Sequence, residues 1–161
     1  MGLIEEAGQG PVGLDTAILI YWMEKNPRFH PVLLPFFEAV HKGKIAVVAS
    51  ALALMEVLVA PYRVGDAPLA EAYEELLGNT AGLHLVPLGV PVLRAAALLR
   101  ASSGIRTADA LHLASSLAAG ARCFLTNDRS LSSLPGLRVI QLSDYAGPST
   151  SLHERARRRR G

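Results

Sequence analysis

The fold of this chain is decided by the stretch Pro11-Val12-Gly13-Leu14-Asp15-Thr16, which continues into an apolar run from Ala17 to Trp22. A short apolar segment that ends in a carboxylate and leads into a longer apolar run predicts a buried strand followed directly by a helix. A second stretch of this kind is Cys123-Phe124-Leu125-Thr126-Asn127-Asp128. We therefore expect two strands that each end at an acid.

The rest of the chain alternates between the two kinds of element. The pattern predicts strands at 12–15, 44–48, 83–86, 122–126 and 138–141, and helices at 16–24, 29–42, 51–59, 67–78, 90–102 and 107–119. Apolar strands separated by helices are typical of a parallel sheet covered on both faces. We predict an α/β fold, a three-layer α/β/α sandwich with a central parallel sheet. Ligands of such sheets bind beyond the carboxyl ends of the strands.

Two further acids lie within apolar helical segments. Glu56 interrupts the apolar run of the helix at 51–59, and Asp109 lies in the first turn of the helix at 107–119. A buried, unpaired carboxylate costs several kcal/mol, so a charged side chain there needs a cation, a hydrogen-bond network or an open cavity. With Asp15 and Asp128 at strand ends, all four acids are expected at one edge of the sheet.

Each acid has an ordinary structural explanation when taken alone. Asp109 suits the first turn of a helix, and Asp128 suits a turn. Asp15 is also an acceptable cap, and Glu56 lies close enough to a helix end to turn towards solvent. The four acids together favour a common site. Carboxylates that converge in an apolar cleft repel one another, and a divalent cation relieves that repulsion. Oxygen ligands suit Mg²⁺ or Mn²⁺, which favours phosphodiester hydrolysis.

The acids lie in segments that resemble the successive motifs of PIN-domain ribonucleases, particularly VapC-type toxins of prokaryotic toxin–antitoxin pairs. The segments are Leu14-Asp15-Thr16, Met55-Glu56-Val57-Leu58, Ala108-Asp109-Ala110-Leu111-His112-Leu113-Ala114 and Thr126-Asn127-Asp128-Arg129. The resemblance covers about residues 11–145. It implies a PIN-like fold and a Mg²⁺- or Mn²⁺-dependent endoribonuclease that leaves a 3′-hydroxyl and a 5′-phosphate.

The resemblance also implies a role for each acid. Asp15 and Asp109 are expected to bind the metal most directly. Glu56 and Asp128 are expected to bind it through water, or to orient and deprotonate the attacking water. All four are therefore both catalytic and metal-binding candidates.

Neighbouring polar residues have several possible roles. Thr16, Ser50 and Asn127 are candidates for hydrogen bonds that hold the carboxylates in place. For Ser50, capping the helix that follows it is the favoured alternative. Arg106 either contacts a substrate phosphate or balances the carboxylates. His112 shares a helix face with Asp109, and an interior histidine is favoured over a general base there.

The resemblance implies partners as well as a substrate. VapC-type proteins act on RNA, are commonly homodimers, and are held inactive by a cognate antitoxin that often directs an arginine towards the acidic pocket. The apolar helices at 16–24 and 29–42 are candidates for a dimer or antitoxin surface. Ordinary core packing is the favoured alternative for their aromatic residues.

Length and composition fit a single enzyme-sized domain. The chain has 161 residues, of which 50% are hydrophobic. We assign the domain to residues 11–146, with a partly disordered segment at 1–10 before it and a basic tail at 147–161 after it. Of 16 basic and 14 acidic residues, five arginines and one glutamate lie in 151–161, so the rest of the chain is slightly acidic. The tail is either a solvated segment or a source of sequence-independent phosphate contacts.

Other features exclude several classes of protein. The one cysteine, Cys123, excludes an internal disulfide and a cysteine zinc site. Nothing resembles a signal peptide, and the apolar runs are too short for a bilayer, so we expect a cytoplasmic protein without a membrane partner. A haloacid-dehalogenase-like phosphatase is disfavoured for two reasons. Such an enzyme usually has a second aspartate two residues after the first, where this chain has Ala17, and it needs a downstream lysine, whereas no lysine follows Lys44. Two alternatives stay open, a stand-alone PIN nuclease of RNA processing and a catalytically silent PIN module that binds RNA or protein.

Overall fold

Five short parallel strands form the centre of the structure, a computed structural model that describes residues 1–148. The strands are β1 (Val12–Leu14), β2 (Val47–Ser50), β3 (Leu83–Val86), β4 (Cys123–Thr126) and β5 (Arg138–Gln141). Their order across the sheet is β3-β2-β1-β4-β5, and every neighbouring pair is parallel. The chain therefore moves outward from β1 to β3 and then crosses to β4 on the other side of β1. Strand order reverses between β1 and β4, which is where a ligand crevice is expected.

Helices cover both faces of this sheet. They are α1 (Leu3–Ala7), α2 (Thr16–Met23), α3 (His30–His41), α4 (Leu52–Val64), α5 (Ala67–Asn79), α6 (Val90–Ser103) and α7 (Thr107–Ala118), and a 3₁₀ helix at Leu142–Asp144 follows β5. Residues from α1 to α5 pack in one apolar cluster, and residues from α6 and α7 pack in a second. Alternate residues of β4 belong to different clusters, with Leu125 in the first and Phe124 in the second. The predicted three-layer α/β/α sandwich with a parallel sheet is confirmed.

Gly13 allows α7 to pack closely against β1. A Cβ atom added at Gly13 would lie 2.1 Å from Ser116 Oγ, 2.7 Å from Ser116 Cβ and 2.9 Å from Phe124 Cδ2. All three distances are far shorter than van der Waals contact. The glycine in the opening stretch therefore sets how near the helix that carries Asp109 can approach the strand that carries Asp15.

Two predicted boundaries differ from the structure by more than two residues. Strand β2 begins at Val47 instead of residue 44, because the Lys44 N–H donates to Ala39 O and closes the turn after α3. Helix α4 runs beyond the predicted end at residue 59 and through the buried Pro61, and it ends at Gly65, whose φ of 67° is left-handed. Proline lacks one hydrogen-bond donor, but packing of its ring in the interior here outweighs that loss.

Helix α1 was not among the predicted elements. It is only five residues long, too short for a periodic signal, but it buries Leu3 and Ala7 in the same cluster as α3. Tertiary packing thus organises a segment that was assigned outside the domain. Most of the predicted basic tail, residues 149–161, lies outside the described residues. Within residues 1–148, no helix has the length and apolar character needed to cross a bilayer.

The aromatic residues of α2 and α3 mostly pack inside the fold. Phe36 and Phe37 are fully buried, and Phe29 is nearly so. Trp22 stacks on Phe37 with ring centroids 4.5 Å apart and on His30 at 4.9 Å. Core packing, the favoured alternative for these aromatics, is what the structure shows.

Candidate active site

One surface cavity is lined by all four predicted acids. Its walls also include three neighbouring polar residues and three aliphatic ones, and the complete lining is Asp15, Thr16, Ala17, Ile20, Glu56, Arg106, Ala108, Asp109, His112 and Asp128. The acids come from the end of β1, from α4, from the first turn of α7 and from the turn after β4. The cavity thus lies at the carboxyl edge of the sheet, beside the reversal in strand order.

Asp15 is a partly buried carboxylate at the start of α2. Its backbone N–H donates to Leu125 O at 2.9 Å, which ties the end of β1 to β4. Its side chain accepts a hydrogen bond from Thr126 Oγ1 at 2.5 Å, and within residues 1–148 it makes no ion pair. Burial raises the pKa of Asp15, and the charge of Asp109 raises it further, against the lowering effects of Thr126 and His112. Asp15 is therefore a carboxylate whose charge lacks a matching cation.

Glu56 is held by two donors on one oxygen. Thr16 Oγ1 donates to Glu56 Oε1 at 2.9 Å, and His112 Nε2 lies 2.5 Å from the same oxygen. The hydrogen bond from His112 is the main reason that the pKa of Glu56 is lowered, with Thr16 contributing less and burial opposing both. Glu56 is thus ionised at neutral pH and directed towards the cavity instead of curling into solvent.

Asp109 and Asp128 share Arg106. Arg106 Nε lies 2.9 Å from Asp109 Oδ2, and its Nη2 lies 3.3 Å from Asp128 Oδ2. The other oxygen of Asp128 accepts hydrogen bonds from the backbone N–H and the hydroxyl of Ser130, which are the main cause of its lowered pKa. Of the two roles considered for Arg106, balancing the carboxylates is the contact that the structure contains. The Arg106 side chain is 76% exposed, so it can leave this position without disturbing the core.

The three residues expected to hold the carboxylates behave differently from one another. Thr16 contacts Glu56 directly. Ser50 Oγ accepts from the Leu52 N–H at 3.2 Å, so its contact is with the start of α4. Asn127 Oδ1 accepts from the Ser143 N–H at 3.1 Å, which fastens the turn that carries Asp128 to the 3₁₀ helix.

Thr126 is the residue that sequence reasoning missed. Its hydroxyl donates to Asp15 and accepts from the Asp128 N–H at 3.1 Å, so one fully buried side chain connects two of the acids. A threonine in an apolar strand is usually taken as strand filling. The available signal was its position at the last strand residue, two before an acid.

The donor set fits a hard divalent cation, although the acids are not gathered around a single point. Within residues 1–148, no three Asp, Glu, His or Cys side chains are close enough to hold one ion as placed. Arg106 and the hydrogen bonds described above compensate much of the negative charge of Glu56, Asp109 and Asp128. The lining is nevertheless rich in carboxylate oxygens, and the partly buried Asp15 makes no ion pair within residues 1–148, which is the condition that a bound Mg²⁺ or Mn²⁺ would relieve.

Partial burial of the Asp15 carboxylate leads to a prediction about stability. The raised pKa means that the folded state binds this proton more tightly than the unfolded state, whose value is near 3.8, so ionised Asp15 lowers the free energy of unfolding as pH rises above about 4. In EDTA at neutral pH, we expect Asp15→Asn to raise the Tm by on the order of a few °C. The gain should disappear near pH 3.5. Thermal unfolding followed by circular dichroism at both pH values measures this, and an unchanged or lower Tm at neutral pH would count against it.

Fold and cavity together define a class of protein, an α/β domain that gathers four acids at the carboxyl edge of a parallel sheet. The chain belongs to the PIN domain family, whose model matches residues 12–137. A comparison with curated proteins by sequence found no significant match.

Solved structures share the fold at low sequence identity. VapBC2 from Rickettsia felis, bound to a DNA fragment from its promoter, has a TM-score of 0.57 at 17% identity, covering 82% of this chain and 98% of that one. DNA-bound VapBC from Salmonella typhimurium has a TM-score of 0.56 at 19% identity, covering 84% and 98%. VapBC-5 from Mycobacterium tuberculosis, a member of the VapBC family of toxin–antitoxin systems, has a TM-score of 0.52 at 20% identity, covering 83% and 98%.

Proposed function

We propose that this protein is a Mg²⁺- or Mn²⁺-dependent endoribonuclease of the VapC type, the toxin of a toxin–antitoxin pair. The observation that carries the proposal is the cavity lined by Asp15, Glu56, Asp109 and Asp128, in which the partly buried Asp15 makes no ion pair within residues 1–148. Membership of the PIN family and the fold shared with VapBC structures support it.

In this proposal each of the four acids has a role that follows from its environment. Asp15 and Asp109, the two most buried of the four, would hold the metal ion, with Glu56 and Asp128 contacting it through water. The ion would polarise the scissile phosphate and lower the pKa of the attacking water. Glu56, kept ionised by His112, would orient that water and accept its proton. Arg106 leaves the carboxylates and becomes available to a substrate phosphate.

An antitoxin partner is part of the proposal because one structure with this fold is described as a toxin–antitoxin complex and another as a member of a family of toxin–antitoxin systems. An exposed apolar stripe lies on α4, the helix that carries Glu56. It is formed by Met55, Val59 and Tyr62, whose spacings place them on one helix face. Contiguous exposed apolar residues are typical of interaction surfaces. We propose this stripe as part of the antitoxin surface, and a homodimer as the active assembly. A small neighbouring gene for a DNA-binding antitoxin would support the toxin role over a stand-alone RNA-processing nuclease.

The proposal is tested with purified protein and a pool of cellular RNA. Cleavage is measured with Mg²⁺ or Mn²⁺, with EDTA, and with the Asp15→Asn variant, and product ends are mapped. Metal-dependent cuts that leave 5′-phosphates and are lost in the variant are expected. If RNA is bound but never cut under any of these conditions, the silent binding module becomes the better description.

The basic tail gives a separate prediction about RNA binding. Five arginines in 151–161 would each add a phosphate contact of the sequence-independent kind. Deleting residues 151–161 should lower RNA affinity and reduce the magnitude of the slope of log K against log salt by up to about 3.5, at about 0.7 for each contact on single-stranded RNA, while cleavage is kept. Fluorescence anisotropy across a salt series measures the slope. A variant with the same five arginines changed to glutamine separates charge from length, and complete inactivation by the deletion would contradict this limited role.

A further inference from the structure

His112 connects the two helices that carry Asp109 and Glu56. It lies on α7, three residues after Asp109, and only 3% of its side chain is exposed. Its Nε2 atom lies 2.5 Å from Glu56 Oε1 and 3.3 Å from Thr16 Oγ1. The imidazole therefore lies at the buried end of the cavity, where α2, α4 and α7 meet.

The proton in this contact belongs to His112. Ionised Glu56 can only accept hydrogen bonds, so Nε2 carries the proton in either protonation state of the ring. Thr16 donates its single hydroxyl proton to the same oxygen. Two donors thus converge on Oε1, and Oε2 accepts no hydrogen bond from any side chain or backbone group of residues 1–148.

The other ring nitrogen shows that the contact with Glu56 is the main polar contact of His112. Nδ1 is buried and has no hydrogen-bond partner within residues 1–148. An interior histidine that served packing alone would be expected to satisfy both nitrogens, because an unpaired buried polar atom costs free energy. Here the ring keeps one nitrogen unpaired and directs the other at Glu56 and Thr16.

We propose that His112 is a positioning residue for Glu56: its Nε2–H holds Oε1, so that Oε2 remains the oxygen available to a metal ion or water in the cavity. This rests on the proposed function. Glu56 has several rotatable bonds and is partly exposed, so without the histidine its carboxylate would have other rotamers open to it, including those directed to solvent. The role is distinct from proton transfer, since His112 acts through Glu56.

Mn²⁺ affinity of the full-length protein, measured by calorimetry without RNA, tests this role independently of activity. Groups that orient metal ligands typically contribute 10–100-fold to affinity. We expect His112→Leu to weaken Mn²⁺ binding about 10-fold. His112→Gln should restore most of it, because the glutamine amide N–H can donate to Oε1. In the Glu56→Gln background, His112→Leu should change the affinity less than about 2-fold, because no carboxylate remains to be positioned.

Each other outcome has a definite meaning. Equal Mn²⁺ affinity in wild type and His112→Leu would overturn the inference, as would an undiminished effect of His112→Leu in the Glu56→Gln background. If His112→Leu does not fold, His112→Asn takes its place, since its amide is too short to reach Oε1. Wild-type protein that neither binds Mn²⁺ nor cleaves RNA would overturn the proposed function itself, whereas binding and cleavage without coupling to Glu56 would overturn only the positioning role.

Discussion

Replacing Asp15 with asparagine is expected to reduce metal-dependent RNA cleavage by at least about 100-fold, because even residues that only orient metal ligands contribute 10–100-fold. Asp15 is partly buried and makes no ion pair within residues 1–148, so its charge is the one that a divalent ion would compensate most directly. Asparagine keeps the size of the side chain and the oxygen that accepts from Thr126. The initial rate of cleavage of a defined RNA at saturating Mg²⁺ or Mn²⁺ measures the effect.

The matched control is Glu38→Gln, which removes one negative charge from an exposed position on α3 that does not line the cavity. It should leave cleavage unchanged. Because Asp15→Asn is expected to be at least as stable as the wild type, its loss of cleavage would reflect the site and not unfolding. Cleavage at the wild-type rate in Asp15→Asn would remove the assignment of this cavity as the active site.

Replacing Gly13 with alanine is expected to destabilise the fold by about 3 kcal/mol or more, at or beyond the usual range for overpacked cores. The added methyl group would meet both side-chain atoms of Ser116 and the ring of Phe124 at 2.1–2.9 Å. Gly13 lies in the middle of the central strand β1, which pairs with both β2 and β4. The strand therefore cannot shift away from the added methyl group without breaking its pairing on one side. Urea unfolding at equilibrium measures the free energy.

Two further variants separate this clash from the general effect of losing a glycine. Gly78, exposed near the end of α5, has no atom within 4 Å of an added Cβ, so Gly78→Ala should stabilise the fold by up to about 1 kcal/mol. Ser116→Gly removes the two closest atoms and should partly rescue Gly13→Ala. Failure of that rescue, with Phe124 left in place, would mean that α7 approaches β1 less closely than described.

The metal-free arrangement of the cavity suggests why four acids are tolerated together. Arg106 pairs with Asp109 and Asp128, while His112 and Thr16 hold Glu56. Asp15 is the acid of the four that makes no ion pair within residues 1–148, and its side-chain donor is the neutral hydroxyl of Thr126. Charge repulsion is therefore reduced by groups of the chain itself, and the exposed Arg106 is the one that a competing cation would most easily displace.

Local patterns were sufficient wherever the determining interaction was local. The helix at Ala67–Asn79 was predicted to within one residue, because Asp66 caps it with a hydrogen bond to the Leu69 N–H and its apolar periodicity is regular. Strand β3 was predicted at its observed bounds. The end of α4 was wrong because Pro61, a helix breaker by local rules, is held in the interior by the packing of the whole fold.

The sequence by itself determined the architecture and the place of the acids. Apolar runs that end in acids and alternate with helices require a parallel sheet whose carboxyl edge collects Asp15 and Asp128. It could not determine which groups hold each acid, because those contacts join residues far apart in the chain. Thr126 and Asp15 are 111 residues apart, and His112 and Glu56 are 56 apart. Whether two groups form a hydrogen bond depends on differences of a few tenths of an ångström in the distance between them. Only the packing of α4 and α7 against the sheet establishes those distances.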